Sequence, residues 1–70
     1  MRIQAVASSH ISAVAYDREE QILYVQFRNG AVYAYQDVPR GVFEQFIDAP
    51  SKGRFLYQVI RAEYGDGDKV

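Results

Sequence analysis

The chain has 70 residues, eight of them Lys or Arg and nine Asp or Glu, so a formal charge of −1 exerts no global pull on a phosphate backbone. Seventy residues allow one domain, whose core at this size supplies no more than about 3–5 kcal/mol, and the absence of cysteine removes disulfides and thiolate metal sites. His10 is the single histidine, which leaves no zinc cluster, and no cofactor is expected. The polar interruptions in residues 1–10 do not suit a signal peptide, and no stretch reaches membrane-spanning length, so a cytoplasmic setting is expected.

Residues 1–7 are a candidate edge segment. Ile11 to Tyr16 are small, apolar or β-branched, and Asp17-Arg18-Glu19-Glu20 then breaks the run, which predicts a first main strand and a loop. Gln21 to Phe27 alternates, with Leu23, Val25 and Phe27 on one face and Ile22, Tyr24 and Gln26 on the other, and Asn29-Gly30 follows as a turn signal. A third strand from Ala31 to about Gln36 closes an antiparallel meander.

Two hairpin registers compete. A two-residue Asn29-Gly30 loop sets Phe27 opposite Val32 and throws Tyr33 and Tyr35 onto the face away from Leu23 and Val25. A three-residue loop, with Gly30 left-handed in a bulge, pairs Phe27 with Ala31, Val25 with Tyr33 and Leu23 with Tyr35. The second register is favoured because it gathers the large groups on one apolar face.

Pro39 suits the first turn of a helix. Val42, Phe43, Phe46 and Ile47 then form a stripe one helix face wide, and Pro50 ends it. Ser51 is placed to cap a second helix, in which Phe55, Leu56, Val59 and Ile60 repeat the spacing, with Tyr64 closing the stripe. The expected fold is α+β: a three-stranded antiparallel meander followed by two amphipathic helices packed on one sheet face. Residues 1–64 form the domain, and residues 65–70, rich in Gly and Asp, a flexible polar tail.

The short pieces Ser8-Ser9-His10-Ile11, Ala15-Tyr16-Asp17, Leu23-Tyr24-Val25-Gln26-Phe27, Tyr33-Ala34-Tyr35, Val38-Pro39, Ala49-Pro50-Ser51-Lys52-Gly53 and Ile60-Arg61 share one order and spacing. Together they resemble the KTSC domain, a small module named from the C-terminus of some lysyl-tRNA synthetases and also found alone in short bacterial proteins. The resemblance spans residues 6 to 64 or so. It implies that Tyr33-Ala34-Tyr35 is the family's Tyr-X-Tyr signature, and it brings a proposal of RNA binding that rests on association rather than mechanism.

Four groups of residues are candidate sites. Tyr33 and Tyr35 would stack bases only if exposed; in the favoured register they lie under the helices with hydroxyls at the rim, so a structural role is expected. Ser51, Lys52, Gly53 and Arg54 combine a helix N-terminus with two cations, and Arg61 lies two helical turns beyond Arg54. RNA or tRNA phosphate is the ligand such a site suits; the alternative is an ordinary cap with solvated cations and a glycine that permits close packing. Ile22, Tyr24 and Val32 define an open sheet face suited instead to a protein partner or a homodimer. Ser8, Ser9 and His10 bring a hydroxyl beside an imidazole, but no carboxylate is placed to orient it, and no catalytic activity is expected.

Overall fold

A computed structural model describes residues 2–70. Its antiparallel sheet has five strands in sequence order: β1 (Arg2–Ala5), β2 (Ile11–Asp17), β3 (Ile22–Phe27), β4 (Val32–Tyr35) and β5 (Asp68–Lys69). The three-stranded meander is therefore the centre of a wider sheet. The candidate edge segment supplies β1, and residues read from sequence as a polar tail supply β5. Both added strands are held through backbone pairing while the side chains of Ile3, Gln4, Ala5, Asp68 and Lys69 stay exposed; β1 still alternates polar and apolar residues, whereas β5 has no apolar residue.

The hairpin adopts the three-residue loop. Val25 pairs with Tyr33 and Leu23 with Tyr35. Phe27 donates its N–H to the Ala31 carbonyl at 2.8 Å, and Gly30 takes the left-handed φ of +93° that the bulged turn requires. At the start of β2 the register shifts between Ile11 and Ala13, which returns Ile11 to the same face as Val14 and Tyr16.

α1 (Arg40–Asp48) begins after Pro39, whose carbonyl accepts the N–H groups of Val42 and Phe43. α2 occupies residues 52–64 and is compound: an α-helical turn Lys52–Phe55, a π-helical turn Leu56–Ile60 and an α-helical turn Arg61–Tyr64. Both helices cover the face that carries Val14, Tyr16, Leu23, Val25 and Tyr35, and Phe46, Leu56 and Ile60 complete the buried core. Aromatic contacts knit the layers: Tyr16 stacks on Phe43 with centroids 4.7 Å apart, Phe46 tilts against Phe55, and Phe27 meets Tyr33 edge-on at 5.7 Å. No helix among the described residues covers the opposite face of the sheet. Among the described residues, no helix is long and apolar enough to cross a membrane.

The Tyr16 hydroxyl donates to the carbonyl of Val38, a fully buried residue whose own N–H reaches Gln21 O at 2.9 Å. Two left-handed non-glycine residues, Gln21 (φ 57°) and Asp37 (φ 61°), flank this junction. Burial pushes the pKa of both Tyr16 and Tyr35 upward; Arg40 and Arg61, respectively, oppose the shift.

Candidate nucleic-acid interface

At the start of α2, Ser51 caps as the sequence predicts: its hydroxyl accepts the Arg54 N–H at 3.3 Å. Its carbonyl takes the Phe55 N–H at 3.1 Å, so the N–H groups of Lys52 and Gly53 are left without intrahelical partners. The cations divide. Lys52 Nζ donates to the Ala49 carbonyl at 2.7 Å and closes the end of α1, while the exposed side chain of Arg54 makes no hydrogen bond or ion pair with any described residue. Gly53 does not serve close packing, because a Cβ added there would meet nothing within 4 Å.

This helix start forms one wall of an open groove of about 500 Å³. The loop before β2 forms the other. There the Ser8 hydroxyl accepts the N–H groups of His10 and Ile11, both at 3.3 Å, and Ser9 Oγ lies 2.9 Å from His10 Nδ1. Arg28 fixes the loop from behind, donating Nε to the Ser8 carbonyl at 2.8 Å. Ser8, Ser9, His10, Ser51, Gly53 and Arg54 thus face one space, and no Asp or Glu lines it. The arrangement has the chemistry to receive an anion: hydroxyls and backbone N–H groups as donors and one guanidinium as counter-charge. It lacks a carboxylate to orient His10 as a catalytic base. No group of three or more His, Cys, Asp or Glu side chains suited to a metal occurs among the described residues.

The π-helical turn adds two groove residues that sequence reading did not single out, Tyr57 and Gln58. Tyr57 is 68 % exposed, and the Arg61 guanidinium lies over its ring, 4.7 Å from the centroid. Arg61 also binds Asp66 through Nε at 3.2 Å and Nη2 at 2.9 Å, and it lines a neighbouring groove instead of this one. The line of cations read along the helix is therefore not continuous: Arg54 faces the groove, whereas Lys52 and Arg61 are engaged within the fold.

Tyr35 is buried at 2 % exposure and Tyr33 is half-buried against Phe27, so the paired tyrosines belong to the helix-covered side of the sheet. On the other side, Tyr24 and Val32 line a shallow apolar depression together with Ile3, Ala13, Ala15 and Gln26. Ile22 shares that face but lies beyond the depression, at the far end of β3. The contribution of Ile3 becomes visible only once β1 is known to join the sheet.

The sequence pattern of the KTSC domain matches residues 7–64. The chain belongs to the KTSC domain family. This KTSC domain is 42 % identical over 62 residues to a protein of Tsukamurella paurometabola, covering 89 % of this chain and 92 % of the relative. It is 39 % identical over 64 residues to an uncharacterized protein of Stutzerimonas stutzeri, covering 91 % and 90 %. A lysine–tRNA ligase of a Nostoc species is 36 % identical over 56 residues, which is 80 % of this chain but 10 % of the ligase. The crystal structure of a KTSC domain protein from Yersinia pestis is similar at a TM-score of 0.85 and 38 % identity, covering 90 % of this chain and 89 % of that one.

Proposed function

We propose that this KTSC domain is a noncatalytic binding module for RNA, with phosphate held between the start of α2 and the Ser8–His10 loop. The observation that carries the reading is a groove lined by three serines, His10 and Arg54 with no acidic side chain. In a chain of net charge −1, that local absence of acid concentrates positive potential where the N–H groups of Lys52 and Gly53 are also available. The similarity to part of lysine–tRNA ligases supports nucleic acid as the source of the phosphate. Ser51, Gly53 and Arg54 make the contact, while Lys52 and Arg61 hold the surrounding structure. A cytoplasmic location agrees with such a ligand.

The test is an amide-shift titration of the isotope-labelled protein with tRNA and with a single-stranded RNA. Shifts concentrated in Ser8–His10 and Ser51–Arg54 are expected, with affinity falling as salt rises by roughly 0.7 in logarithmic slope per phosphate contact. Unchanged amides in those two segments at low salt would refute the reading. A second reading, favoured by the uncovered depression around Tyr24 and Val32, is a protein or homodimer interface on the open sheet face. Tyr24→Ala would then abolish a partner contact or a dimer with the fold intact, and a monodisperse wild-type monomer that captures no partner would count against it.

A further inference from the structure

Tyr57 is a large aromatic side chain left mostly in solvent on a helix whose other aromatic residues, Phe55 and Tyr64, pack on the core. One face of its ring is nevertheless covered. The Arg61 guanidinium covers one face at 4.7 Å, and Asp66 holds that guanidinium by two hydrogen bonds, so aromatic ring, cation and carboxylate form a chain of fixed contacts. Arg61 and Asp66 line the neighbouring groove, whereas Tyr57 lines the acid-free one together with Ser51, Gly53 and Arg54. A held aromatic face beside a phosphate-competent groove is the combination that single-stranded nucleic-acid sites use, because every base offers a π-face and stacking needs no particular sequence.

We infer that Tyr57 is a base-stacking platform and that the groove takes an unpaired nucleotide, its base on Tyr57 and its phosphate at Gly53 and Arg54. The inference rests on the reading of the groove as a nucleic-acid site and narrows it: a base already stacked within a duplex has no face to offer the ring. Arg61 and Asp66 act as positioning residues that fix the ring's angle. The groove's volume of about 500 Å³ is ample for one nucleotide and leaves the rest of a strand to run over the surface.

The experiment measures binding of a labelled eight-nucleotide single-stranded RNA, the same sequence as a duplex, and inorganic polyphosphate, to the wild-type protein and to Tyr57→Ala, Tyr57→Phe and Arg54→Ala. Thermal melts of each variant verify folding. Tyr57→Ala is expected to weaken the single strand by roughly 5- to 150-fold, the span of one base–aromatic stack, and to leave polyphosphate binding within about twofold. Tyr57→Phe keeps the ring and should match wild type, and the Tyr57 ring protons should move upfield when single-stranded RNA is added. If Tyr57→Ala binds the single strand as well as wild type while Arg54→Ala does not, the platform is wrong and the phosphate groove stands. If RNA shifts neither Ser8–His10 nor Ser51–Arg54, the groove reading fails and the platform fails with it.

Discussion

Tyr16→Phe tests the junction that joins the sheet to α1. The substitution keeps the ring and its 4.7 Å stack on Phe43 and removes only the hydroxyl that donates to Val38 O. Val38 is fully buried, so its carbonyl would be left without a donor and without water. A buried acceptor stranded in this way costs about 1–3 kcal/mol. Against the roughly 3–5 kcal/mol that a core of this size supplies, a loss near 2 kcal/mol is a large fraction. At about 4–8 °C per kcal/mol, Tm should fall by roughly 8–16 °C. Urea unfolding at neutral pH, followed by circular dichroism, measures the loss directly. Tyr24→Phe is the control: its side chain lies on the open face with no hydrogen bond to a described residue, and the change should stay within about 0.5 kcal/mol. Equal stability of the two variants would refute the argument. Alkaline titration gives an independent measurement. Burial raises the Tyr16 pKa above its ordinary 10.0, so the neutral phenol is the form the fold favours. Its contribution is therefore complete below that ordinary value and is lost as pH rises through the raised one, and Tyr35 behaves in the same sense. Wild type should lose stability in that range, and Tyr16→Phe, weaker at neutral pH, should lose less.

Gly53→Ala should raise stability by about 0.5–1 kcal/mol, since it replaces a helical glycine where a Cβ meets nothing, yet weaken RNA binding by filling the groove; denaturant melts and RNA titration together read both signs. Asp37→Gly should stabilise by roughly 0.5–1 kcal/mol, because the strain of φ 61° exceeds the extra entropy of an unfolded glycine; a lower melting temperature would contradict that balance. Gly67→Ala places a Cβ 2.9 Å from the buried Tyr35 ring at a φ of +78°, so β5 should detach before the core moves. Hydrogen exchange at Val70, whose N–H bonds Val32 O at 2.9 Å, should lose its protection while the global transition changes little.

The parts of the fold legible in the sequence are those decided by burial. One hairpin register placed Tyr33 and Tyr35 beside Leu23 and Val25 and the other did not, and the structure adopts the register with the larger apolar face. Residues 1–7 are legible as a candidate edge segment, but β5 escapes that logic because backbone pairing, not side-chain burial, attaches it, and its Asp68 and Lys69 resemble any polar tail. The site divides similarly. Ser51 as a cap follows from one residue's chemistry and its neighbours, and the geometry agrees. Which cations remain available does not, since Lys52 turns back to Ala49 and Arg61 pairs with Asp66. The groove unites Ser8–His10 with residues some forty positions away, and no spacing along the chain records that contact. Tyr57 carried no signal because a lone tyrosine off the apolar stripe is ordinary surface.

The π-helical turn at Leu56–Ile60 sets the phase between the two ends of α2. A residue in a regular α-helix advances by roughly 100°, and a π turn consumes one more residue for the same revolution. Residues up to Phe55 and residues from Arg61 onward therefore keep separate angular origins. Forcing the existing residues of the turn into a regular helix would rotate everything beyond it by about 100°, taking Arg61 off Asp66 and Tyr64 off the core, whereas deleting one residue there would leave that phase nearly unchanged. The turn is thus the place where this helix could lose a residue with Arg61 and Tyr64 still in position, provided that Leu56 and Ile60, both buried in the core, are kept.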